Sequence, residues 1–496
     1  MENPKRMLSL VALVGALAGS ALAAEIRVTE GSNAAVSPDG RRIAFQRAEK
    51  GQSHLAILDL ETGATTWLVR GATENACHPA WGRDGELIYS YANITNTAYE
   101  RFCAKGGPQD GYGLRLWKDG VTRELTHGLW RDFAPSLSPD GKTAYLCTQH
   151  EVGTDTSYDS YSSVPVKIDA LDLASGARRA FILPRPGDSA LGQPVVSPDG
   201  RLIAWAEMDC YGSLWHVRVA RLAEPKRWAV VNDLGQSAYA PNWSADGRYL
   251  AYTGFAKGDA GWQAYVTELS SGRIWRICAG ENAAFAPDGK SVFVDRDGVI
   301  WRHELTADEL ADGRCLTSAA YEDEKVVFSL KDPQPGEGMP LPGACSFSRR
   351  QTFFARARLK WNGDISHYQR VIGIRSGGID DSFSLYISKH GLPHVAVRAP
   401  GDMRFSLPDT EDADVAKQPG EIVITGIRTA TDLYVAVNGR QPVRKPLVEG
   451  AVSLERPETY WLGREMGADT KIETLEMGTG WPANVPKPLE GKDLLK

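Results

Sequence analysis

The chain has no Cys-x-x-Cys pair, no excess of basic residues and, past its first two dozen residues, no apolar stretch long enough to cross a bilayer. The missing cysteine pairs exclude the spacing of a structural zinc site. With a net charge of −6 spread over 496 residues, no surface is basic enough to neutralise phosphates, so nucleic acid is not an expected partner. No Gly-x-Ser-x-Gly elbow follows the repeats described below, which excludes an appended serine peptidase. Fifty glycines and 14 tryptophans stand against these absences. Many tight turns and large aromatics suit an all-β chain of short repeated strands.

The N-terminus reads as an export signal. Lys5 and Arg6 precede an apolar and small-residue run over 7–17, and Ala21-Leu22-Ala23 offers small residues at the positions a signal peptidase reads. Residues 1–23 are therefore expected to be removed, leaving a periplasmic, secreted or cell-surface protein with no membrane span in the mature chain. Seven scattered cysteines suit buried thiols. One bridge, Cys77 to Cys103, would close the long loop of the second repeat and stabilise it by about 3.5 kcal/mol in the chain-entropy picture.

Six short phrases recur. They are Ser37-Pro38-Asp39-Gly40, Gly82-Arg83-Asp84-Gly85, Ser138-Pro139-Asp140-Gly141, Ser197-Pro198-Asp199-Gly200, Ser244-Ala245-Asp246-Gly247 and Ala286-Pro287-Asp288-Gly289. Their glycines, at 40, 85, 141, 200, 247 and 289, lie 45, 56, 59, 47 and 42 residues apart. Each phrase is a turn: proline presets φ, aspartate bonds back to the local backbone, and glycine takes the positive φ that closes a hairpin. A β-rich run follows each, such as Leu202-Ile203-Ala204-Trp205, and two further strands follow that. Four strands per unit, six times over, is a six-bladed β-propeller over 24–320. Residues 25–29 are expected to complete the last blade beside 313–316.

The phrases Pro79-Ala80-Trp81-Gly82-Arg83-Asp84-Gly85 and Pro241-Asn242-Trp243-Ser244-Ala245-Asp246-Gly247 resemble the Tol-type, WD-like propeller repeats of bacterial envelope proteins. The likeness covers roughly 25–320. The extra N-terminal domain of that family's name-giving protein is not expected here, since the first repeat begins right after the signal.

Propeller geometry puts the Asp-Gly turns on one face and the long loops (91–113, 148–165, 207–213, 254–262) on the other. Loops positioned by a rigid scaffold are where binding resides. Residues just ahead of each first strand should ring the channel mouth: His78, Arg131, Asp132, Gln193, Tyr239 and Glu281, with Asn282. The adjoining loops add Arg101, His150, Tyr158 and Asp209. Such a mixture of acids, bases and aromatics suits a glycan or an extended peptide. His78, His150 and Gln193 could hold an ion at this mouth, although nothing in their spacing demands it.

Past 320 the repeat stops. Phe353, Ala355, Ala357, Leu359 and Trp361 alternate with Arg356, Arg358 and Lys360, the pattern of a half-buried antiparallel strand. Further runs end at Asn438-Gly439, a tight hairpin signal. The order of phrases, Phe353 to Leu359, Phe383-Ser384-Leu385-Tyr386-Ile387, Leu433-Tyr434-Val435-Ala436-Val437-Asn438-Gly439 and Tyr460-Trp461-Leu462-Gly463, resembles the laminin-G/concanavalin A-like jelly roll. A β-sandwich is thus expected over 326–480, followed by a tail over 481–496. The resemblance implies carbohydrate or protein binding, and it admits a rim calcium at Asp380-Asp381 or in the acidic run 409–414; no other cofactor is implied. Taken together, the residues point to a non-catalytic exported binding protein for glycan or an envelope or extracellular protein. The alternatives are a polysaccharide-degrading lyase with its site at the channel mouth, and a structural component of an envelope complex.

Overall fold

The computed structural model describes residues 25–93, 112–126, 131–149, 166–184, 190–208, 215–231, 237–256, 258–306, 314–315, 322–341, 346–347, 351–364, 366–388, 391–398, 418–430, 432–446, 454–464, 466 and 469–496. The expected signal segment lies outside them. Among the described residues the chain is all-β apart from one short helix, Gly491–Leu494.

Between residues 25 and 306 six antiparallel sheets follow one another. Their innermost strands are Ser32–Val36, Glu74–Trp81, Asp132–Leu137, Leu191–Val196, Ala238–Trp243 and Glu281–Phe285. In each sheet the phrase read from the sequence turns the chain into the second strand. In the first, Gly40 N–H donates to the Ser37 carbonyl at 2.8 Å, Ser37 Oγ donates to Asp39 Oδ1 at 2.6 Å, and Gly40 sits at φ 70°. The serine bond holds the Asp39 and Asp140 carboxyls below their usual range.

The second strands are buried on both faces, as in Leu202–Met208, because the sheets stack face to face. Burial fades outward, and Val121–Glu124 is exposed throughout. Six apolar clusters fill the successive junctions. The last joins the sixth sheet to the first through Phe293 and Phe45. The stack of sheets thus returns to its start, in the manner of a propeller.

The outermost strand of the sixth sheet is Glu25–Glu30, paired with Val299–Glu304. That end of the sequence closes the circle as expected. Its neighbour was misplaced: Arg314–Cys315 instead extends the fifth sheet, with Cys315 opposite Arg273. The edge beside Val299–Glu304 is already taken by the N-terminal strand, whereas the edge of Arg273–Ala279 is open.

From 325 to 479 two further sheets form. The six-stranded sheet runs Lys325–Lys331, Lys471–Thr479, Phe353–Trp361, Gly420–Arg428, Asp432–Val437, Val443–Pro446. The five-stranded sheet runs Gly336–Pro340, Pro457–Leu462, Gln369–Ser376, Ile379–Ile387, Pro393–Ala396. Phe353, Ala355, Ala357, Leu359 and Trp361 face one cluster shared by both sheets. Arg356 faces outward and pairs with Glu324 and Glu476. Asn438 and Gly439, both at positive φ, make the expected turn.

The C-terminal segment returns to the first set of sheets. Trp481 packs edge-on against Tyr434. Thirteen residues later Leu494 is buried in the cluster between sheets four and five, and Arg221 donates to the carbonyls of Asp493 and Leu494. Leu494→Ala should lower stability by about 2 kcal/mol, the worth of one buried leucine side chain. Faster tryptic cleavage after Lys492 would report the loosened segment; cleavage at the parent rate would show that Leu494 does not anchor it.

Candidate functional site

Each innermost strand carries a bulge, and at each bulge a non-glycine residue adopts the left-handed conformation. These residues are Asn33, His78, Ala134, Gln193, Ala240 and Asn282, with φ between 47° and 54°. Each lies seven positions before the glycine of its turn, 33 before 40 and 282 before 289. An extra residue in one strand cannot keep its ladder bond, and its N–H is turned toward the neighbouring sheet. His78 N–H donates to Gln46 Oε1 of the first sheet (3.0 Å), Ala240 N–H to Gln193 Oε1 (2.7 Å), Asn282 N–H to Thr253 Oγ1 (2.7 Å) and Asn33 N–H to Asp295 Oδ1 (3.3 Å). Gln193 N–H bonds the Cys147 thiol. The last of the oxygen bonds runs from the sixth sheet back to the first.

These bulges ring a cavity of about 240 Å³ along the axis. Asn33, His78, Gln193 and Asn282 line its polar end, and Val36, Trp81 and Leu137 line it toward the Asp-Gly turns.

Of the residues expected at the mouth, His78, Gln193 and Asn282 face this cavity. Arg131, Asp132, Tyr239 and Glu281 do not line it. The reason is register: they stand eight to ten positions ahead of their turn glycines, not seven. Arg101, His150, Tyr158 and Asp209 lie outside the described residues. Asp132 is buried, accepting from Thr148 Oγ1 (2.7 Å) and Arg178 (2.6 Å), so it holds the third sheet together.

The other displaced residues gather at two places beside the ring. On sheets two and three, the Arg131 guanidinium lies over Phe133 (4.5 Å), and the His78 ring tilts against the same phenyl (6.1 Å). Burial, and then the Arg131 charge, push the His78 imidazole down to about 4. On sheets five and six, Tyr239 donates to Glu281 Oε2 (2.6 Å), and Glu281 stands opposite Asp295. Burial raises Asp295 to about 6; bonds from Asn282 and Asn33 oppose the rise, and Glu281 adds to it. Trp262 packs edge-on against Tyr239 (5.1 Å) and Phe255 (5.7 Å), leaving 36% of its surface exposed. Asp295, Trp262 and Asn33 were not singled out from the sequence. The constant seven-residue offset would have found Asn33.

Cys77 is a buried free thiol, pushed up to about 12 by burial. That departs from the expected bridge to Cys103, because Cys77 points into the packed interior; Cys103 lies outside the described residues. In the C-terminal sheets Asp380 pairs with Arg375, and buried Asp381 lies between Arg370 and Arg398. Arginines thus occupy the carboxylates considered for a rim calcium. The run 409–414 is outside the described residues.

No protein-family model matches the chain. Over 108 residues it is 34% identical to the Protein TolB homolog of Chlorobium chlorochromatii, covering 22% of this chain and 21% of that one. Over 86 residues it is 28% identical to the Tol-Pal system protein TolB of Francisella tularensis subsp. mediasiatica, covering 16% and 19%. The propeller repeat is TolB-like. The chain spans about a fifth of the length of these curated relatives. Among solved structures, TolB from Acinetobacter baumannii aligns with a TM-score of 0.41 and 15% identity, over 54% of this chain and 64% of that one. An oligogalacturonate lyase in complex with manganese aligns at 0.38 and 14%, over 57% and 92%.

Proposed function

We propose that the chain is an exported, non-catalytic binding protein of the bacterial envelope. In this reading it is a six-bladed TolB-like propeller followed by a jelly-roll sandwich, and the propeller mouth takes an extended ligand. The observation that carries the reading is the separation of charge around the bulge ring. A basic and aromatic group (Arg131, Phe133, His78) stands on sheets two and three, and an acidic and aromatic group (Glu281, Asp295, Tyr239, Trp262) on sheets five and six. In a ring of six these pairs of sheets face one another. A peptide carrying an acidic and a basic side chain some residues apart would meet both, and complementary charge of this kind selects and orients a partner. The sandwich would add a second contact surface for protein or glycan.

The lyase reading has less support. The His78 ring packs against Phe133 and feels the charge of Arg131, and a guanidinium beside an imidazole opposes metal binding at that ring.

The test is capture of dipolar peptides and of an oligosaccharide array by the full mature chain. Arg131→Gln and Glu281→Gln should each weaken peptide binding by about tenfold, or 1.4 kcal/mol. Asp84→Asn on the turn face should leave it unchanged. Oligosaccharide capture indifferent to both substitutions would move recognition to the sandwich. Cleavage of uronic-acid polymers that is lost in His78→Ala would establish the lyase instead.

A further inference from the structure

Away from the axis, metal-ligating side chains from three distant segments meet where the sixth sheet is closed. Glu25 and His303 are direct cross-strand partners, which puts their side chains on one face. Cys278, near the end of Arg273–Ala279, meets them from the fifth sheet. One carboxylate oxygen, the thiol sulfur and one imidazole nitrogen all lie within 4.8 Å of one another. Arg296 donates to both oxygens of Glu25, to Oε2 at 2.7 Å and more loosely to Oε1 at 3.3 Å, and Oε1 also stands 3.6 Å from His303 Nδ1. The more loosely held oxygen is the one on the imidazole side. The same guanidinium interacts electrostatically with Cys278, and a nearby positive charge favours the thiolate that metals bind.

We propose that Glu25, Cys278 and His303 form a site for a divalent transition cation of the zinc class, which staples the N-terminal strand to the sheets it closes. One thiolate, one imidazole and one carboxylate are a zinc-type donor set; magnesium and calcium favour oxygen alone. Bonds of about 2.0–2.3 Å place tetrahedral ligands roughly 3.3–3.8 Å apart, so the set draws in by about 1 Å, mostly through Glu25, and solvent fills the fourth position. Binding converts the Cys278 thiol to a metal thiolate and releases one proton to solvent, so affinity rises with pH. Arg296, bonded to the ligating carboxylate, is a positioning residue whose loss should weaken binding by about 10- to 100-fold.

The experiment uses the full mature chain, reduced and stripped with chelator, then titrated with cobalt(II) alone. The expected result is one equivalent bound with a thiolate-to-cobalt charge-transfer band. Zinc should displace that band, and zinc should raise the thermal unfolding midpoint. Cys278→Ser should abolish the band, and Glu25→Gln should weaken cobalt binding by about tenfold or more. No band in the folded parent, or a band that survives in Cys278→Ser, overturns the proposal. Should Cys278→Ser fail to fold, exposed Glu25 carries the test: unchanged cobalt affinity in Glu25→Gln overturns it equally.

Discussion

Between pH 4 and 6 the His78→Asn variant is expected to lose about 2 kcal/mol of stability relative to the parent as pH rises, and Asp295→Asn to gain about as much. The signs follow from linkage. His78 sits at about 4 in the folded chain against an ordinary 6.5, so in this window the unfolded chain binds more protons there and stability climbs with pH. Asp295 sits at about 6 against 3.8, so the folded chain binds more protons there and stability falls with pH. At 1.36 kcal/mol per unit, shifts of a little over two units amount to about 3 kcal/mol each over the whole titration, of which about 2 kcal/mol falls between pH 4 and 6, and in the parent they oppose one another. Removing either one exposes the other. Asparagine suits position 78 because it tolerates the left-handed backbone found there. The readout is denaturant unfolding of parent and variants at several pH values, taken as differences so that remote carboxylates cancel. If both variants track the parent across the window, the two groups are not held as described.

Glu207→Ala should destabilise the protein by about 3–5 kcal/mol, because it strands a buried arginine. Glu207 and Arg218 are each only 3% exposed, lie on neighbouring strands of the fourth sheet, and pair at 2.9 Å. The guanidinium also lies 3.5 Å from the centre of the Trp228 ring. Replacing both together, as Glu207→Leu with Arg218→Met, should recover most of the loss, since two apolar side chains of similar volume leave no buried charge. Equal destabilisation by the single and double variants would show that packing on Trp228, not the ion pair, governs this site.

The propeller repeat was legible because its punctuation is chemical. Aspartate and glycine at the turns do work that few other residues can, so Ser37-Pro38-Asp39-Gly40 and its five counterparts could be located from residue types alone. The alternation from Phe353 to Trp361 was legible for the same kind of reason, since one face must be apolar and the other need not be. The bulge ring was not legible as a feature. Its six members, among them Ala134, His78 and Asn282, share a backbone conformation and no side-chain chemistry. What they do share in four cases is a following proline, at 79, 135, 194 and 241, which has no N–H to lose at a break in the ladder. Without that cue the mouth was read at Asp132, Tyr239 and Glu281, one or two residues too early. In a strand a slip of one residue sends the side chain to the other face. Asp295 could not be found by inspecting first strands, because it stands on a second strand and acquires its character from burial, with Asn33 and Glu281, 262 and 14 positions away, opposing and adding to the shift.

The pairing of Glu25–Glu30 with Val299–Glu304 has a kinetic consequence. The first of these strands to be synthesised has no partner until some 270 residues have followed it, so the junction that completes the circle forms only after a very long loop is drawn shut. Contacts of such high sequence separation fold slowly, and the unpaired strands meanwhile offer edges to other chains. Assembly of this protein should therefore be most vulnerable to aggregation in its final step, when five sheets are stacked and the sixth still lacks its outer strand.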